Sequence, residues 1–433
     1  MKIVQLTPGA GTDFYCENCL RDSALVLALR ALGHDVLMVP LYLPLVTEDA
    51  DPSAGTPVFY GGINVYLQQK LGLFRRTPRW LDRLLDSPWL LRLAARRAGM
   101  THPEDLGATT LSMLQGRTGR QVKELDRLVD WLGVHERPQV VCLSNALLLG
   151  MAREIKDRLG VAVVCLLQDE DTFLDTLPEP YRGRAWDLVR EGARSVDAFL
   201  AVSQYYAAVA HRRLAPPADR VHVVYPGIDL AGYEPREGPA DPPAIGFLAQ
   251  MGPEKGLDTL VEAFLLLKSR GHVKDLKLRI AGGRTAAEEP FVRGLVGRLE
   301  SHGCAGDVEF IFNPDRAAKQ AFLRTLSVLS VPEKQGEAFA LYVLEALASG
   351  VPVVEPRLGV FPEILDLTGG GTLYEPGSVE SLADALEPLL LDPARARDLA
   401  AQGRRVVADR FRVERMAQDA LRVFEKARSR FAL

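Results

Sequence analysis

Two acidic residues in the second half of the chain are candidates for binding a ligand. Glu337 and Glu345 are separated by seven residues. The stretch from Ala340 to Ser349 is almost entirely apolar and is followed by Gly350, which predicts a buried helix closed by that glycine. A bare carboxylate in such a helix is costly, so Glu345 needs a cation or several hydrogen-bond donors. Ligand hydroxyls would supply donors. Alternatively, Glu345 belongs to a structural ion pair and Glu337 to a helix cap.

A lysine follows another predicted strand, at the point where it turns into a helix. Lys255 stands in the segment AQMGPEKGLDTL. A cation near a helix N-terminus is unfavourable unless something negative lies there too. Glu254 is the structural candidate for that charge, and a bound phosphate is the functional candidate.

The elements that position these residues follow a repeated pattern. Apolar runs alternate with amphipathic segments, first in KIVQL, HDVLMVPL, QVVCLS, VAVVCLL, DAFLAVS and VHVVYPG, then in AIGFLAQ, LKLRIAGG, VEFIF, LSVLSVP and VPVVEP. Runs that are apolar throughout suit parallel strands covered on both faces. The sequence therefore predicts two doubly wound α/β domains, whose ligands bind at the carboxyl ends of the strands.

Composition suggests the domain boundaries. We predict an N-terminal domain over 1–232 with an α-helical insertion at about 68–132, a Gly- and Pro-rich linker over 233–243, and a C-terminal domain over 244–412. An amphipathic helix over 413–433 closes the chain and can cross back to the N-terminal domain.

The E-x7-E block resembles the signature of retaining glycosyltransferases of family 4. The similarity extends through FLAQMGPEKGLDTLVEAF, LKLRIAGG, FPEI and TGGGTLYEPGS, and more weakly through LRALGHDV and VSQYYAAVA in the N-terminal half. It implies a GT-B fold, with two Rossmann-like domains facing a central cleft. It also implies metal-independent sugar transfer with retention of configuration, from a nucleoside-diphosphate sugar that is substrate, not cofactor. A UDP-sugar is favoured and a GDP-sugar is the alternative.

The resemblance assigns roles within the C-terminal domain. It implies that Glu345 binds the donor ribose, that Glu337 contacts the donor sugar, and that Lys255 grips the diphosphate. Glu337 and Lys255 are the candidate catalytic residues. Three backbone amides at the helix N-terminus would face the same diphosphate, those of Phe339, Ala340 and Leu341. The family usually has Gly where this chain has Ala340.

One position departs from the family pattern. Gln250 stands where family members carry an arginine that shares the diphosphate with the lysine. A carboxamide supplies no fixed charge and makes a weaker phosphate contact. We favour an enzyme in which Arg284 or Arg357 compensates. The alternatives are a non-catalytic sugar-nucleotide-binding or scaffold protein, and a sugar-nucleotide epimerase or phosphorylase on the same fold.

The loop after the first strand contains two candidate features. Gly9 and Gly11 are too few for a dinucleotide fingerprint, and the resemblance implies that Gly11 lies against the donor or acceptor. Cys16 and Cys19 form a C-x-x-C near a helix start. Zinc needs about four ligands, and no second pair follows, so we predict a packing role and no metal site.

Candidate acceptor residues follow a later strand. The polar cluster comprises Gln168, Asp169, Glu170 and Asp171. At the carboxyl end of a parallel strand it predicts an acceptor-site wall, with a solvated loop and helix cap as the alternative. Gly61 and Gly62 would allow close approach of a ligand, or form a simple turn. The acceptor could be a small molecule, a glycan or a lipid.

Bulk properties limit the partners and the location. A net charge of −4 argues against a general nucleic-acid binder, and five cysteines in 433 residues suggest reduced thiols. The first apolar run is too short for a signal peptide and no run is long enough to span a bilayer, so we expect a cytoplasmic protein. The insertion is basic and aromatic, which predicts either a membrane-surface segment or a packed helical hairpin. Its relevant residues are Phe74, Arg75, Arg76, Arg79, Trp80, Arg83, Trp89, Arg92, Arg96 and Arg97.

Overall fold

A computed structural model describes residues 1–9, 17–42, 52–53, 55–60 and 103–431. The chain forms two compact units, one from Met1–Tyr225 with Val413–Leu433 and the other from Pro226–Arg412. Each unit contains one six-stranded parallel sheet, which confirms the predicted α/β class.

The first unit is a doubly wound sheet with its strands buried along most of their length. Its strands are β1 (Lys2–Thr7), β2 (Asp35–Pro40), β3 (Val140–Leu143), β4 (Ala162–Leu167), β5 (Ala198–Ala201) and β6 (Val221–Val223). They lie in the order β2-β1-β3-β4-β5-β6. Every residue of β3, β4 and β5 is buried, as expected of parallel strands with both faces covered.

Seven described helices accompany this sheet before the chain leaves the first unit. They are α1 (Glu17–Ala31), α2 (Pro103–Leu114), α3 (Val122–Trp131), α4 (Ala152–Leu159), α5 (Glu170–Thr176), α6 (Tyr181–Ala193) and α7 (Gln204–Leu214). The described part of the predicted insertion begins at residue 103 and is mostly helical, in α2 and α3.

The second unit has the strand order of a dinucleotide-binding fold. Its strands are β7 (Ala244–Leu248), β8 (Lys277–Gly282), β9 (Val308–Phe312), β10 (Val328–Leu329), β11 (Val353–Pro356) and β12 (Gly371–Tyr374). The order is β12-β11-β10-β7-β8-β9. The chain starts in the middle at β7, moves outward to β9, and returns to the other side of β7 with β10. The switch point therefore lies between β7 and β10, where such sheets bind ligands.

Its helices are α8 (Leu257–Arg270), α9 (Glu289–Ser301), α10 (Arg316–Leu323), α11 (Leu341–Ala348), α12 (Phe361–Thr368), α13 (Val379–Leu391) and α14 (Pro393–Arg410). The predicted buried helix is α11. Every residue after Leu341 in it is buried, and Gly350 follows with a φ of 72°. The apolar composition thus located this helix to within one residue at each end.

The last helix, α15 (Val413–Phe431), belongs to the first unit. Its Met416, Ala420 and Phe424 are buried in the same core cluster as Leu29 of α1. Spacing by four residues places these side chains on one face of α15, which explains how an amphipathic helix completes the core.

The composition-based linker at 233–243 lies inside the second unit, which begins at Pro226. Tyr233 is 5% exposed, and its hydroxyl donates to Glu345 at 2.8 Å. The predicted boundary at 232 is therefore later than the observed division between Tyr225 and Pro226. A Gly- and Pro-rich composition is shared by linkers and by ordered irregular segments, so it could not separate them.

Candidate functional site

A charged cluster lies at the switch point of the second unit. Lys255 ends a short 3₁₀ turn after β7, and Glu333 and Glu337 follow β10. Lys255 Nζ lies 2.9 Å from Glu333 Oε2 and also donates to Glu337 Oε1. Because β7 and β10 are adjacent parallel strands, residues that follow their carboxyl ends come together here.

The two carboxylates in this cluster are more buried than the lysine. Glu333 and Glu337 are 4% and 6% exposed, whereas the Lys255 side chain is 23% exposed. The ammonium stabilises two carboxylates that would otherwise be costly to bury. Lys255 thus forms ion pairs with Glu333 and Glu337, whereas the Glu254 carboxylate lies over Gly252. The sequence pattern did not single out Glu333, although its position just after a strand was a usable signal.

A third carboxylate lies beside this pair. Glu355 of β11 is fully buried, and β11 is the neighbour of β10. Burial raises the pKa of Glu355 well above its usual value, and the negative charges of Glu337 and Glu333 add to the shift. Its surroundings therefore favour the protonated form of Glu355. The single acid within the apolar run VPVVEP was the available sequence signal for it.

Two glycines allow the loops of this cluster to approach each other. Gly256 has a φ of 69°, and a Cβ there would lie 1.9 Å from the carbonyl oxygen of Pro332. Gly359 has a φ of 57°, and a Cβ there would lie 2.7 Å from the backbone nitrogen of Glu337. Both positions need a glycine for the left-handed backbone and for the close contact. These contacts fix Lys255 and Glu337 on rigid backbone.

The N-terminus of α11 lies just after this cluster in the chain. Ala340 is the N-cap residue, fully buried, with a φ of −124°. That backbone angle suits any residue, so alanine in place of the family glycine causes no strain there. Phe339 is 7% exposed and packs on Phe411 with ring centroids 6.3 Å apart, and Leu341 opens the helix.

Glu345 makes a separate set of contacts. Its Oε1 accepts from Lys319 Nζ at 2.7 Å and from the Tyr233 hydroxyl at 2.8 Å. The carboxylate and Lys319 are both buried. The structure therefore shows the structural ion pair that the sequence allowed for Glu345. It places Glu337 with Lys255 and Glu345 with Lys319.

Gln250 and the two candidate compensating arginines have other partners. Gln250 Nε2 donates to Glu288 Oε1 at 2.8 Å. The Arg284 guanidinium lies 3.6 Å from the Phe312 ring centroid and 3.3 Å from Glu289. Arg357 lies 3.6 Å from the Glu375 carboxylate and is largely exposed. Neither arginine contacts Gln250 or Lys255 in this structure. It therefore does not show Arg284 or Arg357 replacing the positive charge that family members have at the position of Gln250.

The polar residues that follow β4 differ in their contacts, and Glu170 makes the most. Glu170 is buried, and it accepts from the backbone N–H groups of Ala146 and Gln168 at 2.9 and 2.8 Å. The Tyr206 hydroxyl also lies 2.7 Å from Glu170 and 2.8 Å from Asp171. Glu170 therefore holds the loop together, and the alternative of a solvated loop does not apply to this residue.

The other members of that cluster differ in exposure and geometry. Gln168 is 6% exposed, and its Nε2 has no hydrogen-bond partner among the described residues. Asp169 adopts a left-handed backbone with a φ of 50° before α5. An amide donor without a protein partner is a candidate contact for a ligand oxygen.

Several predicted residues lie outside the described part of the chain. They are Gly11, Cys16, Gly61, Gly62 and the basic positions from Arg75 to Arg97. Cys19 is described and is buried in the core cluster of the first unit. The described residues contain no group of three or more metal-ligating side chains. No described helix is long and apolar enough to cross a membrane.

Comparison with known families covers both units. Residues 234–406 match the model "Glycosyl transferases group 1", and residues 92–231 match the model "Glycosyltransferase Family 4". Both units of the chain thus match glycosyltransferase domains of the family 4 type. The E-x7-E segment and Lys255 both fall within the first of these matches, so the family assignment includes the charged cluster at the switch point.

Two curated relatives illustrate the range of the family. One is a D-inositol 3-phosphate glycosyltransferase from Jonesia denitrificans, 28% identical over 50% of this chain and 54% of its own. The other is a GDP-mannose-dependent α-(1-6)-phosphatidylinositol monomannoside mannosyltransferase from Mycolicibacterium smegmatis, 26% identical over 84% of this chain and 93% of its own. The chain spans about half the length of several curated relatives that it matches.

Solved structures show the same fold. Sucrose-phosphate synthase from Thermosynechococcus elongatus has a TM-score of 0.72 at 19% identity, with 99% of both chains covered. Anabaena HepE in complex with UDP has a TM-score of 0.67 at 17% identity, with 98% of this chain and 100% of that chain covered. The two Rossmann-like α/β units are thus those of a GT-B fold.

Proposed function

We propose that this protein transfers a sugar from a nucleoside-diphosphate donor to an acceptor hydroxyl, with retention of anomeric configuration and without a metal. The observation that carries the proposal is the position of Lys255 at the switch point between β7 and β10, beside the start of α8. Parallel α/β sheets bind nucleotides at this point. The UDP bound to HepE favours a UDP-sugar, and the GDP-mannose dependence of the mycobacterial relative keeps a GDP-sugar as the alternative.

In this proposal Lys255 stabilises the departing diphosphate. As the bond between the anomeric carbon and the phosphate oxygen breaks, negative charge accumulates on that oxygen. A fixed ammonium held by Glu333 and Glu337 meets that charge without reorganisation, which is the main source of electrostatic catalysis. The backbone amides of Phe339, Ala340 and Leu341 at the start of α11 add to the same field.

The two glutamates of the E-x7-E block have different proposed roles. Glu337, held by Gly359 and Lys255, is proposed to contact the donor sugar near the reacting carbon. Glu345 is proposed to bind the donor ribose. Both of its protein contacts are made through Oε1, so Oε2 would accept the ribose hydroxyls. The hydrogen bonds from Lys319 and Tyr233 hold the carboxylate in place.

The acceptor is proposed to lie against the first unit. Gln168, Asp169 and Asp171 at the end of β4 would bind its hydroxyls, together with Gly61 and Gly62 from outside the described residues. Gly11, which also lies outside them, is proposed to lie against the donor. Gln168 Nε2 would donate to an acceptor oxygen. The relatives' names suggest inositol phosphates or phosphatidylinositol mannosides as the first acceptors to try.

A transfer assay tests this proposal. The protein is incubated with UDP-glucose or GDP-mannose, with and without D-inositol 3-phosphate, and nucleoside diphosphate release is followed with NMR of the product anomer. We expect acceptor-dependent release and a product of unchanged configuration. Glu337→Gln should reduce the rate by about 100-fold or more, since removing one group that stabilises a transition state has effects of this order. The exposed Glu380→Gln, on α13, is the matched control.

One observation favours a second candidate, a non-catalytic sugar-nucleotide-binding protein. Gln250 is bonded to Glu288, and Arg284 is held by Phe312 and Glu289. The site thus has one lysine where family members have a lysine and an arginine. Tight nucleotide binding with no release from any donor and acceptor pair would favour this candidate. A changed sugar without any acceptor would indicate an epimerase.

A further inference from the structure

A cavity lies on the edge of the second unit's sheet opposite the charged cluster around Lys255. It has a volume of about 750 Å³ and is lined by Pro243, Ser327 and Pro352, which precede β7, β10 and β11. The amino ends of parallel strands share one edge of a sheet, and the carboxyl ends share the other. This cavity is therefore separate from the cluster around Lys255, and its size is that of a small-molecule site.

The cavity is strongly basic. Five arginines line it and Glu234 is the one acid in its lining. They are Arg236, Arg324, Arg397, Arg404 and Arg405. Among the described residues, none of these arginines has a carboxylate within ion-pair distance, although the chain as a whole has a net charge of −4. Water screens the repulsion between these arginines, since all but Arg236 are exposed, and a bound anion would reduce it further.

The sequence of α14 builds one wall of this cavity. Arg397, Arg404 and Arg405 are seven and eight residues apart, so they share a helix face. Ala401 and Ala408 on that face also line the cavity, and their small side chains leave room between the arginines. The arginines therefore line this helix face without filling the cavity.

Several groups in the cavity are available to an anion. Arg236, Arg324 and Arg404 each donate to a backbone carbonyl, of Gly238, Gly232 and Ala348 respectively. A guanidinium has about five N–H donors, so these contacts leave others for a ligand. Partial burial lowers the pKa of Arg236, and the charge of Arg279 lowers it further. The Ser349 hydroxyl is a further candidate, because it lines the cavity, is 2% exposed, and has no hydrogen-bond partner among the described residues.

The rest of the lining is apolar. It includes Leu230, Leu326, Leu389 and Leu390. Guanidinium groups recognise phosphate through paired hydrogen bonds, and apolar walls accept a hydrocarbon or aromatic body. We propose that this cavity is a second binding site for a phosphate-bearing molecule with an apolar body, distinct from the nucleotide-sugar site.

The test uses phenyl phosphate as a soluble probe and calorimetry of the full chain with UDP present to fill the donor site. A second arm measures flotation with vesicles of phosphatidylcholine and phosphatidylglycerol in equal parts. The test variant is Arg404→Gln with Arg405→Gln. The matched control is Arg395→Gln with Arg410→Gln, which changes two exposed arginines of the same helix that do not line the cavity.

We expect one of the two probes to bind, and the test variant to weaken that binding by about tenfold or more while the control does not. Binding of phenyl phosphate identifies a free organic phosphate as the ligand source, and flotation alone identifies a lipid headgroup. Ser349→Ala should weaken the same binding and leave UDP affinity unchanged. Binding of neither probe, or an equal loss in the test and control variants, would overturn the proposal.

Discussion

At the scale of single residues, the charge balance around Lys255 decides how this site can hold an anion. One ammonium faces the carboxylates of Glu333 and Glu337, and Glu355 lies beside them. An ionised Glu355 would add a third negative charge where a diphosphate is proposed to bind. Its burial raises its pKa and so favours the neutral form, which makes the site less repulsive to the donor.

The protonation of Glu355 predicts a pH-dependent stability. Its pKa is raised above 4.5 in the folded protein, so the folded state keeps a proton that the unfolded chain releases. Stability is therefore highest below about pH 4.5 and falls as the pH rises towards the folded pKa. Glu355→Gln cannot release a proton, so its Tm relative to the wild type should rise steadily between about pH 4 and pH 8.

Thermal unfolding of both proteins across that pH range measures this difference. Glu375→Gln, on an exposed loop, is the control and should show a constant difference. A difference in Tm that does not change with pH for Glu355→Gln would show that this carboxyl is ionised in the folded protein.

Gln250 provides a second prediction at this scale. Gln250→Arg would add a fixed charge next to Glu288, at the position where the family has one. We expect UDP affinity to increase by about tenfold, because a charge-assisted phosphate contact replaces a neutral one. Calorimetry at low and high salt measures the gain. Gln418→Arg adds the same charge to an exposed face of α15, and an equal gain there would mean that only net charge matters.

The residue scale is also where sequence reasoning was least complete. Lys255 and Glu337 were singled out, and the structure pairs them. Glu333 and Glu355 were missed, because their proximity depends on the adjacency of β10, β7 and β11. No local pattern encodes which strands are neighbours. Glu345 had two interpretations, and its partner Lys319 on α10 could not be identified before the fold was known.

At the scale of elements, the turn between β7 and α8 sets the position of Lys255. Gly256 and Gly271 are at the two ends of α8, and both have a φ of 69°. A Cβ at Gly256 would meet the Pro332 carbonyl, whereas a Cβ at Gly271 would meet nothing within 4 Å. Alanine at Gly271 therefore tests only the cost of the left-handed backbone. Alanine at Gly256 adds the cost of a clash with Pro332.

Gly271→Ala should lower the free energy of unfolding by about 1–2 kcal/mol, the cost of a left-handed alanine. Gly256→Ala should cost more and should also weaken UDP binding, because the displaced turn carries Lys255. Chemical denaturation and calorimetry measure the two effects. Equal losses of stability with unchanged UDP affinity in both variants would show that the turn does not position the lysine.

Most elements could be predicted from the sequence, because the patterns that indicate them involve residues close together in the chain. Apolar runs of strand length and a glycine-closed apolar helix are short-range signals, as in β4 and α11. The segment between β3 and β4 is less regular, because it begins as a 3₁₀ helix over Ala146–Met151 before α4. The side chain of Asn145 accepts from the Leu147 N–H at its start, a capping contact that the apolar pattern did not reveal.

At the scale of the whole molecule, the first unit depends on both ends of the chain. The helix α15 supplies Met416, Ala420 and Phe424 to a core that also holds Leu29 of α1. The closing amphipathic helix was recognisable from its periodicity. Which unit it completes depended on long-range packing, and so did the division at Pro226.

Truncating a core residue of α15 should destabilise the first unit. Phe424 is fully buried, so Phe424→Ala should cost about 3–5 kcal/mol of unfolding free energy. Arg428→Ala, on the exposed side of the same helix, should cost less than about 0.5 kcal/mol. Urea denaturation followed by tryptophan fluorescence measures both. A small cost for Phe424→Ala would mean that α15 is not part of this core in solution.

The central claim is that Lys255 holds the diphosphate of a nucleotide donor, and calorimetric titration with UDP, GDP and ADP tests it most directly. Lys255→Ala is compared with Lys268→Ala, which removes a lysine of similar exposure from an ion pair at the other end of α8. We predict roughly micromolar binding of one nucleotide, weakened by about tenfold to 100-fold in Lys255→Ala and unchanged in Lys268→Ala. A Tm for each variant controls for folding. Binding of no nucleotide to the wild type, or wild-type affinity in a folded Lys255→Ala protein, would contradict the account.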